Sequence, residues 1–136
     1  LAHYDDVVAE VHHHVVDRAG VALEAGVTEV WVDPGIGFAK TAAHNLRLLA
    51  ALPELAASAA SLGARVLIGT SRKSFLGRFG APAGVAVPVD ERLDASLATA
   101  VWCMTNGAGM VRVHEVAPTV QAAALVGRGC ATPCAA

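Results

Sequence analysis

The stretch "ARVLIGTSRKS", residues 64–74, decides the fold. A short, largely apolar run breaks at Gly69 into a turn that carries Arg72 and Lys73. An apolar run without strict polar alternation, bounded by turn residues, reads as a strand covered on both faces of a parallel sheet. In parallel α/β folds, ligands gather at the carboxyl ends of the strands. Two adjacent cations at such an end call for an anion or an electron-rich ring.

The same pattern repeats on either side. Upstream, "VTEVWV" (27–32) predicts a strand that stops at Asp33-Pro34-Gly35, a strong breaker. Downstream, "GMVRVHEV" (109–116) predicts a third strand over roughly 109–114. Helical patterns fill the intervals. Val8, Val11, Val15, Ala19 and Ala22 predict a helix over 5–25, ended by Gly26. Thr41 is placed to cap a helix running to Gly63, with Pro53 bending or splitting it. Asp90 is placed to cap another that stops at Gly107, and a last helix has Pro118 near its first turn. The order α-β-α-β-α-β-α predicts an α/β fold with three parallel strands and flanking helices. No repeat or linker divides it. We expect one unit over residues 1–128 and a disordered tail over 129–136.

Composition narrows the class. The chain has 136 residues, 54% of them hydrophobic and 16% charged, which excludes disorder as its general state. The formal net charge is −2 and the cations form no stripe, so nucleic acid is not expected as a partner; no apolar run reaches the roughly 18 residues a membrane helix needs, so a membrane is not expected either. The first residues, "LAHYDDVVAE", lack the basic start and apolar core of a signal peptide and read as the start of a helix. With no Met at position 1, more sequence is expected upstream. Cys103, Cys130 and Cys134 form no close Cys-x-x-Cys pair and are expected as free thiols in a reducing cytoplasm. The run His12-His13-His14 is not expected to hold metal, because consecutive helical residues point about 100° apart.

All three predicted strands end in chemistry: Asp33 on the first, Ser71-Arg72-Lys73-Ser74 on the second, Arg112 and His114 on the third. Residues 112 and 114 are two apart, so along a strand they share a face while Val111 and Val113 take the other. An Arg with a neighbouring His suits a phosphate or diphosphate. The plainer alternative is a structural ion pair of Arg112 with Glu115 or Asp33. Asp33 likewise has two readings: a turn-former before Pro-Gly, or an acceptor for two N–H donors of a heterocycle.

"DPGIGFAK" (33–40), "GTSRKSFLG" (69–77) and "VRVHEV" (111–116) resemble the three C-terminal motifs of the dihydropteroate synthase family. "HNLRLL" (44–49) and "ERLDASLATA" (91–100) are similar to its intervening helices. The resemblance implies the C-terminal portion of a (β/α)8 TIM barrel, a fold of about 250 residues. It implies a cytoplasmic transferase of folate biosynthesis that condenses 6-hydroxymethyl-7,8-dihydropterin diphosphate with p-aminobenzoate and releases diphosphate. By the same resemblance, Asp33, Gly37, Gly69 and Lys73 would bind the pterin, with Asp33 and Lys73 catalytic. Phe38, Arg72 and Ser74 would line the p-aminobenzoate side, and Arg112 and His114 would hold the diphosphate. Thr70 and Ser71 would shape the turn. A magnesium ion is implied, its protein ligand expected in sequence upstream, and none of the residues here is expected to hold metal. A homodimer is implied, with the last helices contributing to its interface.

Two departures from the family pattern stand out. Glu115 replaces the usual Asp after Arg-Val-His and, lying beyond the ligand face, is expected to matter little. Ala39 stands where Gly is frequent; if that position needs a positive φ, Ala costs about 1 kcal/mol. Two other functions are weighed beside the synthase. One is a catalytically incomplete fragment that at most binds pterin. The other is a methyltetrahydrofolate-dependent methyltransferase barrel, which would have no use for the diphosphate residues.

Overall fold

In the computed structural model, which describes residues 3–79, 82 and 85–131, the chain opens on Asp6. Its carboxylate accepts from the backbone N–H of Val8 and Ala9, while Glu10 reaches back to the Asp6 N–H at 2.9 Å. These contacts satisfy donors at the helix start that would otherwise be unpaired. Helix α1 (Val7–Glu24) follows, and β1 (Trp31–Val32) enters the sheet after it. Thr41 caps α2 (Ala42–Ala50) through its hydroxyl, which accepts from the His44 N–H at 3.1 Å. Ala51 separates α2 from α3 (Leu52–Ser61), so the predicted long helix is split two residues before Pro53. Proline is tolerated there because the first turn of a helix needs no N–H partner within the helix.

Strand β2 (Arg65–Ile68) lies between β1 and β3 (Met110–Val111), and both pairings are parallel. Trp31 and Val32 face Arg65 and Val66; Leu67 and Ile68 face Met110 and Val111. Helix α4 (Leu93–Thr105) connects β2 to β3, and α5 (Val116–Ala131) closes the described chain. All three strands are shorter than the apolar runs predicted. A ladder extends only as far as its neighbour runs alongside, and an apolar run does not encode that length.

The core is one cluster. Val7, Val11 and Ala19 of α1 meet Leu48 and Leu49 of α2, Leu52, Leu55 and Ala59 of α3, and Val66 and Ile68 of β2. Cys103 of α4 is fully buried within it as a free thiol, and burial pushes its pKa up to about 12. Residues 129–131 of the expected tail are helical, whereas 132–136 lie outside the described residues, as does the Cys134 thiol; the Cys130 side chain is likewise not described. The predicted cap by Asp90 gives way to a short 3-10 turn at Val89–Glu91, and Arg92 takes the cap position. Arg92 is held there because its guanidinium donates to the carbonyls of Val87 and Arg72 at 2.9 and 3.0 Å. Among the described residues no helix is long and apolar enough to cross a membrane.

Candidate functional site

The three strand ends open on one rim, and the local backbone there is unusual. After β1, Asp33 closes an Asx turn by accepting from the Gly35 N–H at 2.8 Å. The loop then passes through Gly35 (φ 69°), Gly37 (φ 79°) and Ala39 (φ 49°). The positive φ anticipated for Ala39 is therefore present, on a residue whose Cβ disfavours it. Gly37 needs its missing side chain twice over: a Cβ there would also stand 2.8 Å from Cδ of Lys73. Asn45, 1% exposed, fixes the loop from below. It accepts from the Gly37 N–H at 2.7 Å and donates to the Thr41 carbonyl at 2.9 Å.

After β2, the turn carries a second strained residue, Arg72 (φ 58°). Its N–H donates to Ser96 Oγ at 2.9 Å, its carbonyl accepts from Arg92, and its guanidinium grips Glu115, with Nε to Oε1 at 2.6 Å. Lys73 extends the other way, its Nζ 3.7 Å from the centre of the Phe38 ring. Burial lowers the Lys73 pKa, the nearby Arg112 lowers it further, and Asp33 partly offsets both.

Beyond β3, Arg112 reaches across the sheet to Asp33, Nη2 to Oδ2 at 3.1 Å. Its guanidinium lies on Gly69, where a Cβ would meet Nη2 at 2.8 Å. His114 turns Nδ1 to Ser71 Oγ at 2.9 Å. The result is a cleft of about 260 Å³ lined by Phe38, Gly69, Ser71, Lys73, Arg112, Val113 and His114. Asp33 joins this group through Arg112 and also borders a hollow of about 460 Å³ beside α1.

Of the nine residues named from the sequence, Phe38, Gly69, Lys73, Arg112 and His114 line this cleft, Asp33 pairs with Arg112, and Gly37 packs under Lys73. The other two sit apart. Ser74 opens on a neighbouring cleft with Lys40, Thr41 and Arg78, and Arg72 is drawn off to Glu115. Val113 was expected to face away but lines the cleft, because β3 ends at Val111 and strict alternation ends with it. Glu115 was expected to matter little. It holds Arg72 and stands 3.4 Å from Ser71 Oγ, and the hydrogen bond from Arg72 foremost keeps its pKa below the ordinary carboxylate value.

Asn45 and Ser71 were not foreseen as organisers. Asn45 had a signal: it lies three and four positions before Leu48 and Leu49 on one face of α2, where a polar residue needs buried partners. Among the described residues no group of three His, Cys, Asp or Glu side chains could hold a metal ion.

The chain matches the family described as pterin binding enzyme over residues 1–114. It is 46% identical over 127 residues to the dihydropteroate synthase of Mycobacterium leprae, covering 91% of this chain and 43% of that protein. It is 38% identical over 125 residues to that of Escherichia coli K12, covering 90% of this chain and 41% of that protein. Among solved structures, Xanthomonas albilineans dihydropteroate synthase with 4-aminobenzoic acid superimposes with a TM-score of 0.85 at 40% identity, over 97% of this chain and 46% of that one. The complex of the X. albilineans enzyme with 7,8-dihydropteroate gives a TM-score of 0.83 at 40% identity, over 96% and 48%. The chain thus spans about two fifths of the length of these curated relatives. The expected fold stands: three parallel strands with flanking helices, a portion of a (β/α)8 barrel.

Proposed function

The chain belongs to the pterin-binding enzyme family, and from that premise we propose that it supplies part of the active site of a dihydropteroate synthase. The carrying observation is the convergence of Asp33, Lys73, Arg112 and His114, from three strand ends, around one cleft and its rim. The reaction proposed for the intact protein containing residues 1–136 joins 6-hydroxymethyl-7,8-dihydropterin diphosphate to p-aminobenzoate. The carbon–oxygen bond to diphosphate breaks, and the departing oxygen keeps the electron pair. The aniline nitrogen bonds to the exposed methylene carbon and then loses a proton.

Each residue has a role that its chemistry suits. Asp33 accepts from the amino and ring N–H groups of the pterin, and Lys73 donates to the same ring from the next strand end. Arg112 leaves Asp33 when the ligand arrives and turns to the diphosphate, which His114 also meets. Once Arg112 has turned, charge that develops on the leaving group is neutralised by donors aimed at it before the bond breaks. Gly37 and Gly69 allow backbone and guanidinium to close on the pterin. Phe38 offers an apolar wall to p-aminobenzoate, Ser74 faces its carboxylate, and Arg72, its guanidinium on Glu115, lends its alkyl stem to that side. Magnesium would be held by ligands outside this chain, and no step above depends on it. We place the enzyme in the cytoplasm as a homodimer, its contact surface formed by the last helices, where Trp102, Val116, Val120 and Leu125 are exposed.

The test is dihydropteroate formation by the intact protein and its Lys73→Ala and Arg112→Ala variants. Turnover should fall by about a hundredfold or more in each. Unchanged turnover would remove these residues from the mechanism.

A further inference from the structure

Ser71 is 4% exposed at the end of β2 and has one proton to give and two lone pairs to share. The backbone N–H of His114 donates to its oxygen at 3.2 Å. The hydroxyl proton can then go to Nδ1 of His114 at 2.9 Å or to Oε2 of Glu115 at 3.4 Å. The first distance is that of a good hydrogen bond, and the second is at the limit of one. Arg72 engages the other oxygen of Glu115, Oε1, through Nε and Nη2, so it is distance that disfavours Oε2 as the acceptor. The proton therefore belongs on the side of His114.

We propose that Ser71 is a positioning residue that locks His114 as the tautomer protonated on Nε2, with a fixed ring orientation. Which imidazole nitrogen carries the proton is set by the hydrogen bond the other one makes. With Nδ1 accepting from Ser71, the neutral ring presents Nε2–H as its donor in a cleft that Arg112 and Lys73 already make cationic. This rests on the reading of His114 as a diphosphate contact.

The experiment uses the intact protein, with 15N NMR of the His114 ring at a pH where it is neutral and calorimetric titration with inorganic diphosphate. The wild-type ring should be a single Nε2–H tautomer. Ser71→Ala should give a tautomer mixture and bind diphosphate about two- to tenfold more weakly, the cost of ordering one freed side chain. Ser71→Thr, which keeps the hydroxyl, should restore both. An Nδ1–H ring in the wild type overturns the proposal even if Ser71→Ala fails to fold. So does a ring unaltered in Ser71→Ala, or a Ser71→Thr protein that behaves like Ser71→Ala. A wild-type protein that binds no diphosphate defeats the functional reading itself, and the proposed role falls with it. Binding that persists while the tautomer ignores Ser71 defeats this inference alone.

Discussion

Replacing Arg112 with Ala separates a ligand contact from a structural ion pair. The guanidinium and the Asp33 carboxylate are 3.1 Å apart, with side chains 56% and 32% exposed. A pair so open to water contributes at most about 1 kcal/mol to folding. The variant should therefore unfold within a few degrees of the parent. Binding behaves differently. A guanidinium that makes two charge-assisted hydrogen bonds to diphosphate, each contributing about 1.5 kcal/mol or more, loses about 3 kcal/mol of affinity when truncated. That is about a hundredfold in Kd. Thermal unfolding and calorimetric titration of the intact protein with inorganic diphosphate read the two effects separately. Unchanged diphosphate affinity together with a stability loss of about 3 kcal/mol would return Arg112 to a purely structural role.

Three further outcomes follow from the same geometry. Asn45→Ala strands the Gly37 N–H, while the Thr41 carbonyl keeps the backbone N–H of residue 45, and should cost about 1–3 kcal/mol in urea denaturation; a loss below about 0.5 kcal/mol would mean the loop holds itself. Ala39→Gly relieves a side chain at φ 49° and should stabilise by about 0.5–1 kcal/mol, the left-handed penalty less the added freedom of unfolded glycine; destabilisation in the same denaturant series would contradict this. Because Arg72 depresses the Glu115 pKa in the folded state, the stabilisation from Glu115 is present above the ordinary carboxylate pKa and is lost as pH falls through the acid range. Glu115→Gln should accordingly flatten the acid limb of the stability–pH curve, and a limb as steep as the parent's would show that the grip on Arg72 contributes nothing.

The strand ends were legible in the sequence because an apolar run stopped by Asp-Pro-Gly or Gly-Thr-Ser marks both the strand and its rim. Thr41 was legible as a cap for the same local reason, and so was the break at Pro53. Contacts that join distant segments were not. The resemblance put Arg72 beside Phe38, but its left-handed backbone and the pull of Glu115 carry its guanidinium elsewhere. Ser71 looked like a turn residue, and only the fold brings it to His114, 43 positions away. Asp90 met every local requirement of a cap, yet Arg92 displaced it through contacts with Val87 and Arg72 that no short-range pattern encodes.

The most direct test of the account is a structure of the intact protein with 6-hydroxymethyl-7,8-dihydropterin diphosphate. The Asp33 oxygens should accept from the pterin N–H groups, Lys73 should reach the same ring, and Arg112 should have left Asp33 for the diphosphate beside His114. A complex in which Arg112 stays on Asp33 and the pterin lies away from the three strand ends would contradict it.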